Sequence, residues 1–300
     1  MKSLWLKAFI ILILILLSIL AYYHTTPLPR CNDSNPEEFK SCVSDRINYA
    51  SEYFKNLKPP VSVDVIWLLG EIERRIGKID NPALNKYFST EYNRENPFRR
   101  FLNIKNPLKG FEIKRAAASP FEIEEAGAFW PEKWLYTVNE DLRGYLKHPW
   151  DDVLLKALYC DISGYDKKDL EFLLHRARYD GSYADTHVLL GLLIVKKLGC
   201  LPYEQIKTVI KKLTDSIAGA LEIDHHFRDL YAERVLLLYW SPLENDSINK
   251  EWIKLLLKKQ NRDGGWGYPR SSPHTSAISL LVLYYWHNDI QPGVENIPFN

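Results

Sequence analysis

Four segments in the second half of the chain open runs that are apolar on every side: Asp152-Val153-Leu154-Leu155, His187-Val188-Leu189-Leu190, Arg234-Val235-Leu236-Leu237 and Ile278-Ser279-Leu280-Leu281. Marked by Val153, Val188, Val235 and Ser279, they recur at steps of 35, 47 and 44 residues. Between them, at 167–178, 203–221 and 248–259, apolar positions fall on one side only and charges fill the other. A helix without a polar side must be enclosed, whereas one with a single apolar stripe belongs at the surface. Regular alternation of the two kinds is the pattern of stacked helical hairpins. The expectation is an all-α domain, with apolar helices inside and charged helices outside.

Upstream, residues 61–76 read as an amphipathic helix with Val65, Ile66, Leu68, Leu69 and Ile72 on one side, and 39–57 as a helix of mixed charge. Residues 80–133 are punctuated by Pro82, Pro97, Pro107, Pro120 and Pro131 and read as short helices and long loops. No β-rich run is long enough to argue for a sheet.

The N-terminus breaks this pattern. From Leu4 to Tyr23 the chain is almost wholly apolar, with Lys2 and Lys7 at its start. That length matches the ~20 residues a helix needs to cross a bilayer. A cleaved signal peptide is the competing reading, but the positions for a small-residue cleavage site hold Ile19, Ala21 and Tyr23. Either reading sends the remaining chain across the membrane, because flanking lysines favour a cytoplasmic N-terminus. The expected organisation is a cytoplasmic tip and signal anchor over 1–23, an extracytoplasmic tether over 24–60, and a helical domain over 61–300. That domain would be periplasmic, lumenal or extracellular.

Cysteine usage agrees with such a compartment. Cys31 and Cys42 bracket a polar loop just outside the anchor, where a disulfide is the simplest account in an oxidising space. Cys160 and Cys200 lie at helix ends, as a second pair or as plain buried thiols. Charge narrows the partners: 39 basic against 38 acidic residues, with no long basic run, argues against nucleic acid.

The turns repeat as the helices do. Asp180-Gly181-Ser182-Tyr183 precedes one inner helix and Asp263-Gly264-Gly265-Trp266 another, with Asp229-Leu230-Tyr231 as a degenerate third copy. Glycine permits a positive backbone angle after a helix, and an aromatic residue two positions on can pack back onto that helix end.

In the second turn, Gln260, Gly264 and Trp266 form a Gln-x3-Gly-x-Trp core that resembles the QW-type repeat of the terpenoid cyclase and protein prenyltransferase superfamily. The first turn looks like a weaker copy with Ala177 in place of the glutamine. The resemblance covers roughly residues 145–290 and implies an α/α toroid, complete or open, with inner helices around a central cavity. Its catalytic signatures do not follow. The cyclase Asp-x-Asp-Asp acid is absent, since Pro149 precedes the pair Asp151-Asp152. Of the prenyltransferase zinc set, Asp180 has a serine, Ser182, where the thiolate should stand, and His274-Thr275 resembles the His-Thr start of an inner helix.

The expected function is therefore a membrane-anchored toroid domain that binds a ligand or protein partner and inherits no cyclase or prenyltransferase chemistry. The alternatives are an enzyme acting on a polyisoprenoid or a glycan in the cavity, and a scaffold for other membrane proteins. Candidate catalytic residues are Asp180, His187 and His274. Asp152, Tyr183, Arg234, Trp266 and Tyr268 are candidates for the cavity rim. No cofactor is expected, and zinc at Asp180 and His274 is the one metal the resemblance admits. The competing reading of these polar residues is that they cap helices. His225-His226 reads as a solvated loop, and Glu122, Glu124, Glu125 and Glu132 beside Trp130-Pro131 suit glycan hydrolysis only if folding brings two carboxyls to the right separation.

Overall fold

The computed structural model describes residue 13 and residues 28–77, 79–86, 95–117, 134–145, 150–243 and 248–299. The expected anchor at 4–23, apart from residue 13, and the glutamates at 122–132 lie outside the described residues. Among the described residues, no helix is long and apolar enough to cross a membrane.

The chain is mostly helical. Helices α1 (Pro36–Lys55) and α2 (Val63–Ile76) come first. Asn35 caps α1, its side chain accepting from the backbone N–H groups of Glu37 and Glu38. After a 3-10 turn at Pro97–Phe101, strands β1 (Ile113–Ala117) and β2 (Trp134–Val138) pair antiparallel, with Arg115 opposite Tyr136. This small sheet corrects the expectation of short helices and long loops without a sheet. Its strands are five residues each and far apart in sequence, so neither run carries enough alternation to be seen alone. The sheet is fixed from its inner side, where Ile113, Tyr136 and Val138 are buried and the Tyr136 hydroxyl donates to Asp169 at 2.7 Å.

The helical repeat then runs as α3 (Asp151–Leu158), a short α4 (Cys160–Ser163), α5 (Lys167–Leu174), α6 (Tyr183–Lys197), α7 (Tyr203–Ile223), α8 (Asp229–Trp240), α9 (Lys250–Lys258) and α10 (Pro273–His287). The four apolar segments are α3, α6, α8 and α10, and all are enclosed. In α6, Val188, Leu189, Leu192, Leu193, Ile194 and Val195 have no exposed surface. Each such side chain contributes about 1.5–3 kcal/mol of burial. Outer helix α7 instead buries one stripe, Ile206, Ile210, Leu213 and Ile217, at the 3–4 residue spacing of a single helix face. Among the inner helices α3 packs on α6, α6 on α8, α8 on α10 and α10 on α2, while the 3-10 turn at Pro97–Phe101 touches both α2 and α3. Helix α1 covers α10, and α7 covers α6 and α8.

The two glycine turns do the same mechanical work. Gly181 (φ 72°) lies so close to α7 that a Cβ would collide with Ala220, and Gly264 (φ 90°) so close to α1 that one would collide with the Tyr49 carbonyl. In each turn the aspartate accepts from the N–H two residues on: Ser182 to Asp180 at 2.9 Å, Gly265 to Asp263 at 3.0 Å. The buried Gln260 amide donates to the carbonyls of Arg46 and Gly264, and the Trp266 indole N–H donates to the Leu256 carbonyl at 2.8 Å. The Gln-x3-Gly-x-Trp segment thus fastens α1, α9 and α10 together.

Two disulfides staple the chain. Cys31 joins Cys42, as expected, and Cys160 joins Cys200, tying α4 to the end of α6. Near the ends of α8 and α10, residues 296–299 fold in and reach Trp67 in the second turn of α2. Phe299 stacks against Trp67, the Trp67 indole donates to the Pro298 carbonyl at 2.6 Å, and the Asn296 amide donates to the Tyr239 and Gln291 carbonyls. Phe101, Trp240 and Ile297 complete this apolar plug.

Candidate metal centre

The opposite ends of the inner helices are polar. Asp64 lies in the first turn of α2, Asp229 in that of α8, and His274 and Thr275 in that of α10, with Glu233 one turn deeper in α8. Carboxylates at helix N-termini face the unsatisfied N–H groups and the positive end of the dipole, which favours the charged form there. Asp229 and Glu233 are four residues apart, so both project from one side of α8.

His274 is the centre of this group. Its Nδ1 hydrogen-bonds a carboxylate oxygen of Asp64. Its Nε2 faces Glu233 Oε1 at 3.3 Å and Asp229 Oδ2 at 3.6 Å. Hydroxyl groups orient the carboxylates in turn. Thr275 donates to Asp229 at 2.6 Å, Tyr183 donates to Asp229 at 3.3 Å, and Thr186 donates to Glu233 at 3.2 Å. One ligand-type atom each from Asp229, Glu233 and His274 lies within 4.8 Å of the others.

The charges are strongly coupled. Burial alone would lower the His274 pKa, but its hydrogen bonds to Asp64 and Glu233 and the surrounding negative charge raise it well above the ordinary imidazole value. Burial pushes Asp64 up, yet its hydrogen bond and charge pairing with His274 outweigh that and hold it low. Asp229 goes the other way. Burial raises it, the Glu233 charge adds to the rise, and the attraction of His274 does not cancel them.

The sequence-derived candidates separate clearly. His187 reaches the cluster at one remove: its Nδ1 lies 2.8 Å from the Tyr183 carbonyl and 3.3 Å from the Thr186 hydroxyl, and its ring stacks on Trp150 at 5.7 Å. Asp180, offered as a metal ligand beside His274, spends its hydrogen bonds inside its own turn, and the oxygens that meet His274 come from other residues. Tyr183 and Tyr268, offered for the cavity rim, are exposed. Three other rim candidates are structural. Trp266 is fully buried, Arg234 donates to the Gly181 carbonyl and pairs with Asp224, and Asp152 pairs with Arg176 at 3.0 Å inside the fold. His225 and His226 are exposed in a loop.

Sequence reasoning missed Asp64, Asp229 and Glu233. A signal was present: an acidic pair at i and i+4 opening an otherwise apolar helix is costly to bury without a partner. It also missed Asp185, whose fully buried carboxylate accepts four backbone N–H groups, from Arg178, Tyr179, Asp180 and Gly181, at 2.7–2.9 Å. This aspartate, five residues beyond Asp180, is what shapes the first glycine turn.

No family model, no curated protein and no solved structure matches the chain.

Proposed function

We propose that the chain is a membrane-anchored, extracytoplasmic ligand-binding domain whose working site is a divalent metal centre formed by Asp229, Glu233 and His274. In this reading the inner helices α2, α3, α6, α8 and α10 form an α/α toroid, the 3-10 turn at Pro97–Phe101 bridging α3 and α2. Their N-terminal ends carry the site. The two disulfides support an oxidising compartment, and the lysine-flanked apolar stretch at 4–23 supports the anchor.

The observation that carries the metal reading is the division of labour on His274. Asp64 takes Nδ1, which directs Nε2 toward Glu233 and Asp229. Ligating imidazoles characteristically donate their other N–H to a carboxylate, and ligating carboxylates are themselves hydrogen-bonded. Thr275, Tyr183 and Thr186 supply the second feature. One nitrogen and two carboxylates suit zinc, manganese or ferrous iron. A bound ion would supply Lewis acidity toward an oxygen-bearing ligand in its open positions. The chain's own residues orient the donors, and the stacked pair Trp150–His187 with Tyr183 borders them with aromatic surface.

A metal-free acid–base site is the second reading, favoured by the close approach of protonated His274 to Glu233. Metal titration of the purified full chain separates the two. The metal reading expects ~1 equivalent of zinc or manganese, with affinity reduced by Glu233→Gln and His274→Ala and unchanged by Asp180→Asn. A folded chain that takes up no divalent metal, or variants that all bind alike, would leave only the acid–base site.

A further inference from the structure

We propose that the end of the domain bearing the His274 cluster rests on the lipid surface, with Tyr179, Ile223 and Tyr268 in the interfacial layer. This rests on the reading of residues 4–23 as an anchor and is independent of whether the site holds metal.

The path of the arm before α1 supports it. Asn35 caps α1, Asp33 accepts from Lys250 and pairs with Lys254 of α9, Cys31 is bonded to Cys42, and the Pro29 carbonyl accepts from the Arg46 guanidinium. From residue 35 back to residue 29, the arm therefore runs antiparallel along α1. Helix α1 is itself antiparallel to α10, since Phe39 packs on Trp286 near the end of α10, while Gln260, just before the second glycine turn, reaches the Arg46 carbonyl. The arm climbs from the N-terminus of α1 to its midpoint at Arg46, heading toward the turns that precede the inner helices, where Gly264 meets Tyr49. Those turns share an end with Asp64, Asp229 and His274. Only four residues, 24–27, separate the apolar stretch from the described arm. Fully extended, they span at most about 14 Å. An anchor so close holds this end toward the bilayer.

The surface at that end fits the placement. Tyr268 is 95% exposed, Ile223 81% and Tyr179 45%, and all three sit in turns or helix ends that lead into inner-helix N-termini. Exposed Arg178, Arg228 and Arg270 stand among them, alongside exposed Asp180, Glu222 and Asp263. Tyrosine with arginine is the composition of a membrane–water interface, the ring in the headgroup layer and the guanidinium near phosphate. Among the described residues, the large hydrophobic one exposed toward the opposite end is Ile162, beside the Cys160–Cys200 bond. The site would then open on lipid headgroups, and its ligand would be a membrane-borne molecule with a polar, oxygen-bearing head.

The test uses the full chain in phospholipid vesicles, with a spin label placed singly at Ile223→Cys, Tyr268→Cys or Ile162→Cys. Labels at 223 and 268 should be several-fold less accessible to an aqueous nickel chelate than the label at 162, and more accessible to oxygen dissolved in lipid. Equal nickel accessibility at all three would overturn the proposal. Labels at 223 and 268 shielded from both probes would also overturn it, by showing that a second copy of the chain covers this face. Alkaline carbonate extraction comes first. Release of the chain into solution would overturn the anchor on which the proposal rests, an outcome separate from wet labels on a retained chain.

Discussion

The two ends of the inner helices are built from opposite materials. At the C-terminal end of α8, Trp240 meets Trp67 from the second turn of α2, Phe101, Ile297 and Phe299 in an apolar plug. At the N-terminal end, three carboxylates and an imidazole are gathered in partial contact with solvent, an arrangement that adds little to stability. Helices α2 and α8 contribute to both. Along α8 the plug and the charged cluster are about two turns apart, from Glu233 to Trp240, whereas on α2 Asp64 and Trp67 are three residues apart and point to different neighbours. A fold that stores stability at one end tolerates charge crowding at the other.

The sharpest way to break this contrast is at the plug. Trp240→Ala should cost about 3–5 kcal/mol in chemical denaturation, from lost burial and the cavity left behind. Metal affinity of the folded fraction should be unchanged. A smaller loss is expected in the first glycine turn. Asp185→Asn replaces an anion that accepts four N–H groups by one carbonyl oxygen and an opposing amide, and should cost about 2–3 kcal/mol by the same measurement.

Changes in the polar cluster should reverse the ranking. Asp64→Asn should leave stability within about 1 kcal/mol, yet weaken metal binding by about 10–100-fold, because it loosens the imidazole rather than removing a ligand. The cluster should also give the metal-free protein a pH signature. His274 is raised on folding, so its ion pairing stabilises the fold fully below about pH 6.5 and is lost as pH climbs through the folded value. Melting temperature should fall over that rise in the metal-free wild type, and fall less in His274→Gln. Least affected of all should be Tyr268→Ala, within about 0.5 kcal/mol of wild type, since its side chain is almost wholly exposed.

The helices were legible in the sequence because each declares itself locally. Apolar runs after Val153, Val188, Val235 and Ile278 have no polar side to expose, and the stripe of α7 has one. The Cys31–Cys42 pair was legible for the same reason, as two cysteines about one polar loop. The β1–β2 pair was not, since five-residue strands acquire meaning only when Tyr136 meets Asp169 across the fold. The site was half legible. His274 stood out by its resemblance to a His-Thr helix start, but its partners come from α2 and α8, at sequence distances of 210 and 41 residues for Asp64 and Glu233. Asp180 drew notice because its turn repeats, and recurrence there reflects backbone geometry shared with Asp263. Trp266 likewise recurs as a packing device, with its ring buried and its N–H bonded to Leu256.

The central claim is that His274 is a metal ligand positioned by Asp64. Anomalous diffraction at the manganese or zinc edge, from crystals of the metal-treated protein, tests it most directly. The account expects one strong peak about 2.0–2.2 Å from a carboxylate oxygen of Asp229, one of Glu233 and Nε2 of His274, with Asp64 still on Nδ1. A saturated crystal with no peak there, or with its peak in the Asp180 turn, would contradict it.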